Sequence, residues 1–333
     1  MSTAVLPSPA GRRIGTRASR RVAAIGGPFL QAIVVTLLVM VITFFLIRTL
    51  LGDPAVVLIG GNTGASPERI AALRTQLGLD KPLPVQFLDY ATGLLQGNLG
   101  NSFQHPANTV ASIIANGAGV TFALVGLTLL ISCLAGIGLG LFAAGTNWPV
   151  LDNIIRVLSL LGLAAPGALV GLVLILTAAL GGGLFPAGGW GNGYPENFQY
   201  LVLPAITVSF WLTPIILRAV RERAGDVLQE PFAEAAAARG MSMTRLILRH
   251  VAPNCAGPVL TIIGVSLSYL VSGAVIVEIV YGLPGIGRAM TTAVGSLDFP
   301  VIQGIVLLTG AVVVVLNMIA EIASRIIDPR VGR

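Results

Sequence analysis

The sequence predicts an all-α polytopic membrane protein with six transmembrane helices. Three observations predict it. Only 10% of the 333 residues are charged and 55% are hydrophobic, against roughly 25% charged in a soluble globular domain. Six stretches approach the length of about 20 apolar residues that crosses the hydrocarbon core of a bilayer; they run over 22–47, 120–144, 157–180, 198–217, 251–277 and 299–320, without one Asp, Glu, Lys or Arg. The basic residues, moreover, are sorted by loop. Lipid offers no partner to a bare N–H or C=O, so such stretches cross as helices unless they close a barrel.

The N-terminal segment, 1–21, carries Arg12, Arg13, Arg17, Arg20 and Arg21. "SRRVAAIGG" at Ser19 has the look of a twin-arginine signal. The apolar run that follows is longer than a signal h-region of about 7–15 residues and ends at no small-residue cleavage site, so it reads as an uncleaved span. The first transmembrane helix occupies 22–50. The segment 51–106 is an external loop with short helices, and 107–333 holds the five remaining helices. Fifteen of the 20 basic residues fall in the N-terminus, the second loop, the fourth loop and the C-terminus. The positive-inside rule therefore puts both termini and the fourth loop in the cytoplasm. A pI of about 10.0 alone would suggest nucleic acid; the sorting of charge by loop points to the membrane instead.

In the external loop, "SPERIAALRTQLG" predicts a helix capped by Ser66, entered at Pro67 and stopped at Gly78. A second helix starts at Pro84 and carries Phe87, Leu88, Leu94 and Leu95. The second span holds Gly136, Gly138 and Gly140, the third Gly167 and Gly171. Without a preceding strand these are no dinucleotide loop; small residues let membrane helices approach closely. The Gly- and Pro-rich run 181–197 predicts a tight surface turn with Trp190 and Tyr194 as interfacial anchors. Pro214 predicts a kink in the fourth span. Cys133 and Cys255 read as small buried hydrophobes rather than a disulfide.

The fourth loop, 222–250, is the unusual one. Pro231 suits a first helical position, Glu230 and Glu234 favour the positive helix end, and "EAAAA" is a strong helix former. Gly240 predicts a left-handed stop. Ser242 predicts the cap of a second helix, with Leu246 and Ile247 on one side and Arg245 and Arg249 on another, and Pro253 predicts a turn into the fifth span. The result is a small alanine-lined surface of the kind that docks in a groove. A solvated basic loop is the plainer alternative.

Catalytic patterns are missing from the sequence. Lys81, the one lysine, lies in no P-loop. His105 and His250 fall on opposite predicted sides. Glu278 and Glu321 read as markers of span ends, so no ionisable relay of the sort found in ion-coupled transporters is visible.

The fourth loop resembles the EAA loop of ABC importer permeases. Glu234, Ala235, Ala236, Gly240 and Pro253 match its pattern in register, while His250 and Ala252 depart from the usual Ile and Leu. "RGMSMTRLILRHVAPN" is similar to the peptide-permease variant, with Arg249, His250 and Asn254. "FFLIRTLLGDPA", "LGLDKPLPVQFLDYATGLLQGNLGNSF", "YGLPGIGRAM", and "LDFPVIQGIVLLTG" with "IIDPR" resemble, in order along the chain, the first (B-type) membrane subunit of dipeptide, oligopeptide and nickel importers. The resemblance implies a type I ABC importer permease fold in a bacterial plasma (inner) membrane. It also implies a homologous second permease subunit, two ATPase subunits or domains holding ATP and Mg, and an external substrate-binding protein, with no cofactor in this chain and no nucleic-acid partner. The ATPase-coupling residues on this basis are Glu234, Ala235, Ala236, Gly240, Arg245, Arg249, Pro253 and Asn254; Pro284, Gly285 and Gly287 form the candidate external gate. The expected substrates are peptides, although relatives in this family carry nickel, haem, opines or oligosaccharides. Further expectations place the external loop against the binding protein or at the outer mouth, with bracing of the second span as its alternative. An ATP-independent secondary transporter or channel is the competing reading, and a membrane-embedded enzyme a third.

Overall fold

The computed structural model describes residues 17–50, 55–56, 67–76, 78–146 and 149–327. Helices account for the secondary structure, and an isolated antiparallel bridge pairs Asn101 with Thr109. Helix α1 (Arg17–Leu50) lies along the last helix, where Gly310 meets Val39. Two short helices, α2 (Pro67–Gln76) and α3 (Leu83–Leu95), follow. The cap expected at Ser66 lies outside the described residues. Phe87 and Tyr90 of α3 close on the buried Phe44 ring of α1 at 5.2 and 5.7 Å between centroids. Bracing therefore does occur, but on the first span rather than the second, because the aromatic contacts of α3 are with α1.

The second span is α4 (Val110–Ala144), 35 residues whose first turn is capped by the Thr109 hydroxyl accepting from Ser112 N–H at 3.1 Å. At 1.5 Å per residue it measures about 50 Å, longer than a hydrocarbon core. It packs along α7 (Asn197–Leu228). Gly136 and Gly140 make that approach possible: a Cβ on either would meet Ile216 or Val220 at 2.8–2.9 Å. Gly138 faces open space instead. Two of the three glycines thus serve the contact, and the third points away because it is 200° round the helix from each.

The third apolar stretch is not one straight helix. Helix α5 (Pro149–Ala164) and helix α6 (Gly167–Leu174), which continues as a π-helix over Ile175–Gly181, meet at 109°. Pro166 breaks it: its ring disfavours helical backbone at Ala165 and it has no N–H to give back. Among the described residues five helices are long and apolar enough to cross a membrane, and six when the bent pair is counted as one span. Pro204 and Pro214, by contrast, sit inside an uninterrupted α7.

The Gly-rich run after α6 does more than turn at a surface. Gly189 N–H donates to Tyr281 O at 2.7 Å, and a Cβ on Gly188 would lie 2.5 Å from that oxygen. The run is folded across a helix end. Trp190 is half-buried against the core and stands edge-on to the exposed Tyr194. Cys133 and Cys255 are free.

After α7 come α8 (Pro231–Ala238) and α9 (Met243–Leu246), a π-helical turn (Ile247–Val251) and α10 (Ala252–Tyr281). The predicted turn at Pro253 is absent: Met243 to Tyr281 is one continuous rod. Proline in a helix clashes with the carbonyl four residues back, here Arg249. The π-turn over Ile247–Val251 widens the coil at that point, a known way of absorbing such a conflict. Finally α11 (Ile286–Gly295) and α12 (Phe299–Ile327) close the bundle.

Candidate functional site

Two clusters stand at opposite ends of α10. The first is the elbow formed by α8, α9 and the base of the rod. Glu230 is extended (φ −73°, ψ 145°) and its carbonyl accepts from Ala233 N–H at 2.9 Å, so α8 begins at Pro231. Ala233 and Ala236 are buried and pack with Leu228, Met241 and Leu246. At the far end Gly240 takes φ +83°; its N–H donates to Ala237 O, and Met241 N–H donates to Ala236 O. This double closure is the Schellman motif, with Met241 and Ala236 in the accompanying apolar contact. Gly240 therefore ends the helix as expected of it. Ser242 occupies the next cap position, yet its side chain makes no capping bond.

Exposed on the elbow are Phe232, Glu234, Ala235, Ala238, Arg239, Arg245 and Arg249. The alanine surface is real but includes a large aromatic ring that sequence reasoning overlooked. Phe232 is 41% exposed, and its ring lies 6.3 Å from that of His250, which ties α8 to the π-turn. Asn254 Nδ2 donates to His250 O at 2.7 Å. Pro253 is exposed one residue along. Of the eight residues singled out, Ala236 is packed inward; the other seven lie on or beside the exposed face. At the same end a polar cleft of about 740 Å³ opens beside Arg156, Arg218, Glu222 and Asp226.

The second cluster surrounds "YGLPGIGRAM". Gly282 (φ +66°) ends α10, with Leu283 N–H donating to Glu278 O. Glu278 is fully buried. One of its carboxyl oxygens accepts the Thr121 hydroxyl at 2.5 Å and the other accepts Gly287 N–H at 2.7 Å. Thr121 Oγ in turn accepts Ile286 N–H at 3.0 Å. The side chain thus holds the first N–H groups of α11, which have no partner within their own helix. Glu278 does stand in the last turn of α10, yet it is more than the marker of a span end: its partners belong to α4 and α11, invisible from α10. Gly285 is small because this carboxyl group needs the room, a Cβ there falling 2.2 Å from Glu278 Cδ; at Gly287 a Cβ would first meet Val275 Cα, at 2.5 Å. Pro284 is exposed and takes no part.

Two further residues extend the cluster, and neither was legible beforehand. Tyr281 is buried, its hydroxyl within 2.9 Å of Thr207 Oγ1 and 3.2 Å of Gly171 O. Asp298, also buried, accepts from the Ser102 hydroxyl and from Phe103 N–H, and Gln104 Nε2 donates to Ser296 O. The segment before α4 is thereby fastened to the link between α11 and α12.

The structure is a bundle of apolar helices with a helical elbow at one end and a pinned short helix at the other. The chain belongs to the family of binding-protein-dependent transport system inner membrane components: that model matches residues 136–333, and its N-terminal companion matches residues 27–124. It is 33% identical over 304 residues to a probable peptide ABC transporter permease of Sinorhizobium fredii, covering 90% of this chain and 96% of the relative. A putative peptide permease of Brucella suis is 35% identical over 298 residues (87% and 93% covered). The dipeptide transport system permease of Lactococcus lactis is 30% identical over 294 residues (88% and 94%). This is a multi-pass inner-membrane protein with the type I ABC permease fold.

Proposed function

We propose that the chain is one of two similar membrane subunits enclosing a path for peptides. An external solute-binding protein delivers the peptide; two ATPase subunits, holding ATP and Mg, drive the cycle from the cytoplasm. The elbow faces the cytoplasm with both termini, as the sorting of arginines supports. Helix α8 docks on one ATPase subunit through Phe232, Ala235 and Ala238, flanked by Glu234, Arg245 and Arg249. One observation carries this reading. The elbow is exposed on its outer face yet bolted by Ala233 and Ala236 to Leu246, at the foot of a rod that runs on to Tyr281. A push on α8 therefore moves the fifth span as a rigid lever. Names of relatives support peptides as the cargo.

Gly240→Pro removes the N–H bond to Ala237 O and forbids φ +83°. Glu234→Lys reverses charge in the first turn of α8. In the assembled complex each variant is expected to reach the membrane at wild-type level and to lose about tenfold or more of ATP-dependent peptide uptake. Normal uptake by either variant overturns the coupling assignment. The purified chain alone is expected to bind no ATP, and uptake by it without nucleotide would favour the secondary transporter.

A further inference from the structure

Most of the exposed surface at membrane depth is the apolar surface that lipid requires. Helix α1 shows Phe29, Ile33, Val34 and Leu37, and the bent pair shows Leu158, Leu161, Leu169 and Leu172. One face differs. On α10, Ser268, Tyr269 and Ser272 share a side, and Tyr269 is 63% exposed. The Ser268 hydroxyl donates to Asn317 Oδ1 of α12 at 3.1 Å, which leaves the Asn317 NH₂ donors for another partner. From the other flank Trp211 of α7 brings its ring within 6.0 Å of Tyr269.

These residues lie at one depth. Tyr269 is about 18 Å from the Tyr281 end of α10, Trp211 about 21 Å from the corresponding end of α7, and Asn317 about 27 Å along α12, at 1.5 Å per residue. That is well inside the bilayer. Polar side chains in spans face a bundle interior or a water-filled cavity, because lipid gives their hydrogen-bonding groups nothing in return.

We infer that Trp211, Tyr269, Ser272 and Asn317 form a neutral binding belt on the wall of the path, and that its ligand is the main chain of an extended peptide. The inference rests on the transport reading above and adds where and how the cargo is held. The chemistry matches in kind. The Asn317 NH₂ and the Tyr269 hydroxyl can donate to peptide C=O. Ser272, whose own proton goes to Ser268 O at 3.2 Å, can accept peptide N–H, and the two rings cover the apolar stretches between them. No Asp, Glu, Lys or Arg occurs on α7 before Arg218, on α10 before Glu278 or on α12 before Glu321, which stands one turn beyond Asn317. Such a belt reads the feature all peptides share and ignores the charge of their side chains.

The test uses the complete transporter in membrane vesicles, with Cys133→Ala and Cys255→Ala as background. Single cysteines are placed by Tyr269→Cys, Ser272→Cys and Asn317→Cys, with Leu172→Cys as the lipid-facing reference. A thiol reacts as thiolate, which requires water. A trimethylammonium methanethiosulfonate is expected to label the three belt positions about tenfold or more faster than position 172. Tri-alanine is expected to slow that labelling. Rates equal to the reference in every nucleotide state overturn the belt. Crosslinking of these positions to the second permease subunit without reagent access makes the face a subunit seam, and also overturns it. Uptake of tri-alanine by unlabelled vesicles is measured in parallel. Its absence would count against the transport reading; its presence with unlabelled belt positions would count against the belt alone.

Discussion

Replacing Glu278 with alanine is expected to cost about 3–5 kcal/mol of stability and to release α11 from the bundle. The estimate follows from what the side chain leaves behind. Gly287 N–H loses its acceptor in a place water does not reach, and the Thr121 hydroxyl, which still accepts Ile286 N–H, is left to donate to Gly117 O at 3.3 Å. Each buried group so orphaned costs about 1–3 kcal/mol, and a cavity the size of the lost side chain adds to it. In detergent the apparent Tm is expected to fall by about 10 °C. Hydrogen exchange is expected to quicken from Ile286 to Gly295 before it quickens in α4 or α7. Glu278→Gln is the informative companion. Its amide oxygen can accept from Gly287 while its NH₂ donates to Thr121 Oγ, with the Thr121 proton turned to Gly117 O. That rearrangement leaves one amide N–H without a partner and satisfies the other groups, so the glutamine variant is expected to lose only about 1–2 kcal/mol. If alanine melts within 2 °C or so of wild type, something other than the carboxyl group holds α11, and the cluster is misread.

The contrast between the elbow and the Glu278 cluster shows which physics a sequence makes legible. Pro231, the alanine block and Gly240 act on their own backbone within ten residues, so spacing alone announced the helix and its left-handed stop. Glu278 acts on groups 157 residues away and 9 residues on. Nothing in its neighbourhood announces either, and an acidic residue near the end of an apolar run looks like the edge of a membrane. The break at Pro166 is hidden for a related reason. Hydropathy averages over 157–180 and sees continuous apolar residues, whereas the backbone responds to one proline. Phe232 carries no signal of its own in the sequence, because aromatic residues are common in membrane proteins and only the fold puts this ring at the surface of an elbow. The polar face of α10 belongs here too. Ser268, Tyr269 and Ser272 are ordinary in a span, and only their exposure beside Asn317 and Trp211 sets them apart.

The glycines of the second span give the second large effect, with its own internal control. Gly140→Leu is expected to destabilise strongly, Gly136→Leu similarly, and Gly138→Leu hardly at all. The three look alike in "GIGLG", and small residues at that spacing announce a close helix contact without saying which of them makes it. Geometry separates them. At Gly140 a Cβ alone would stand 2.9 Å from Leu217 O and from Val220 Cβ, and at Gly136 it would stand 2.8 Å from Ile216 Cβ. The obstacles are a main-chain carbonyl and branched side chains fixed at Cβ, not flexible tips, so α4 and α7 must move apart. Overpacking of this kind costs about 1–3 kcal/mol for one or two methylenes, and leucine adds more. Moving α7 away also strains Ser209, whose hydroxyl reaches Thr128 O at 3.3 Å, and loosens the buried Leu212 and Ile216. Gly138 faces outward with nothing within 4 Å, so leucine there adds apolar surface where apolar surface belongs. Thermal melting of the three purified variants by fluorescence size-exclusion checks the order. Equal losses at all three positions would mean that helix propensity, not the α4–α7 contact, decides the outcome.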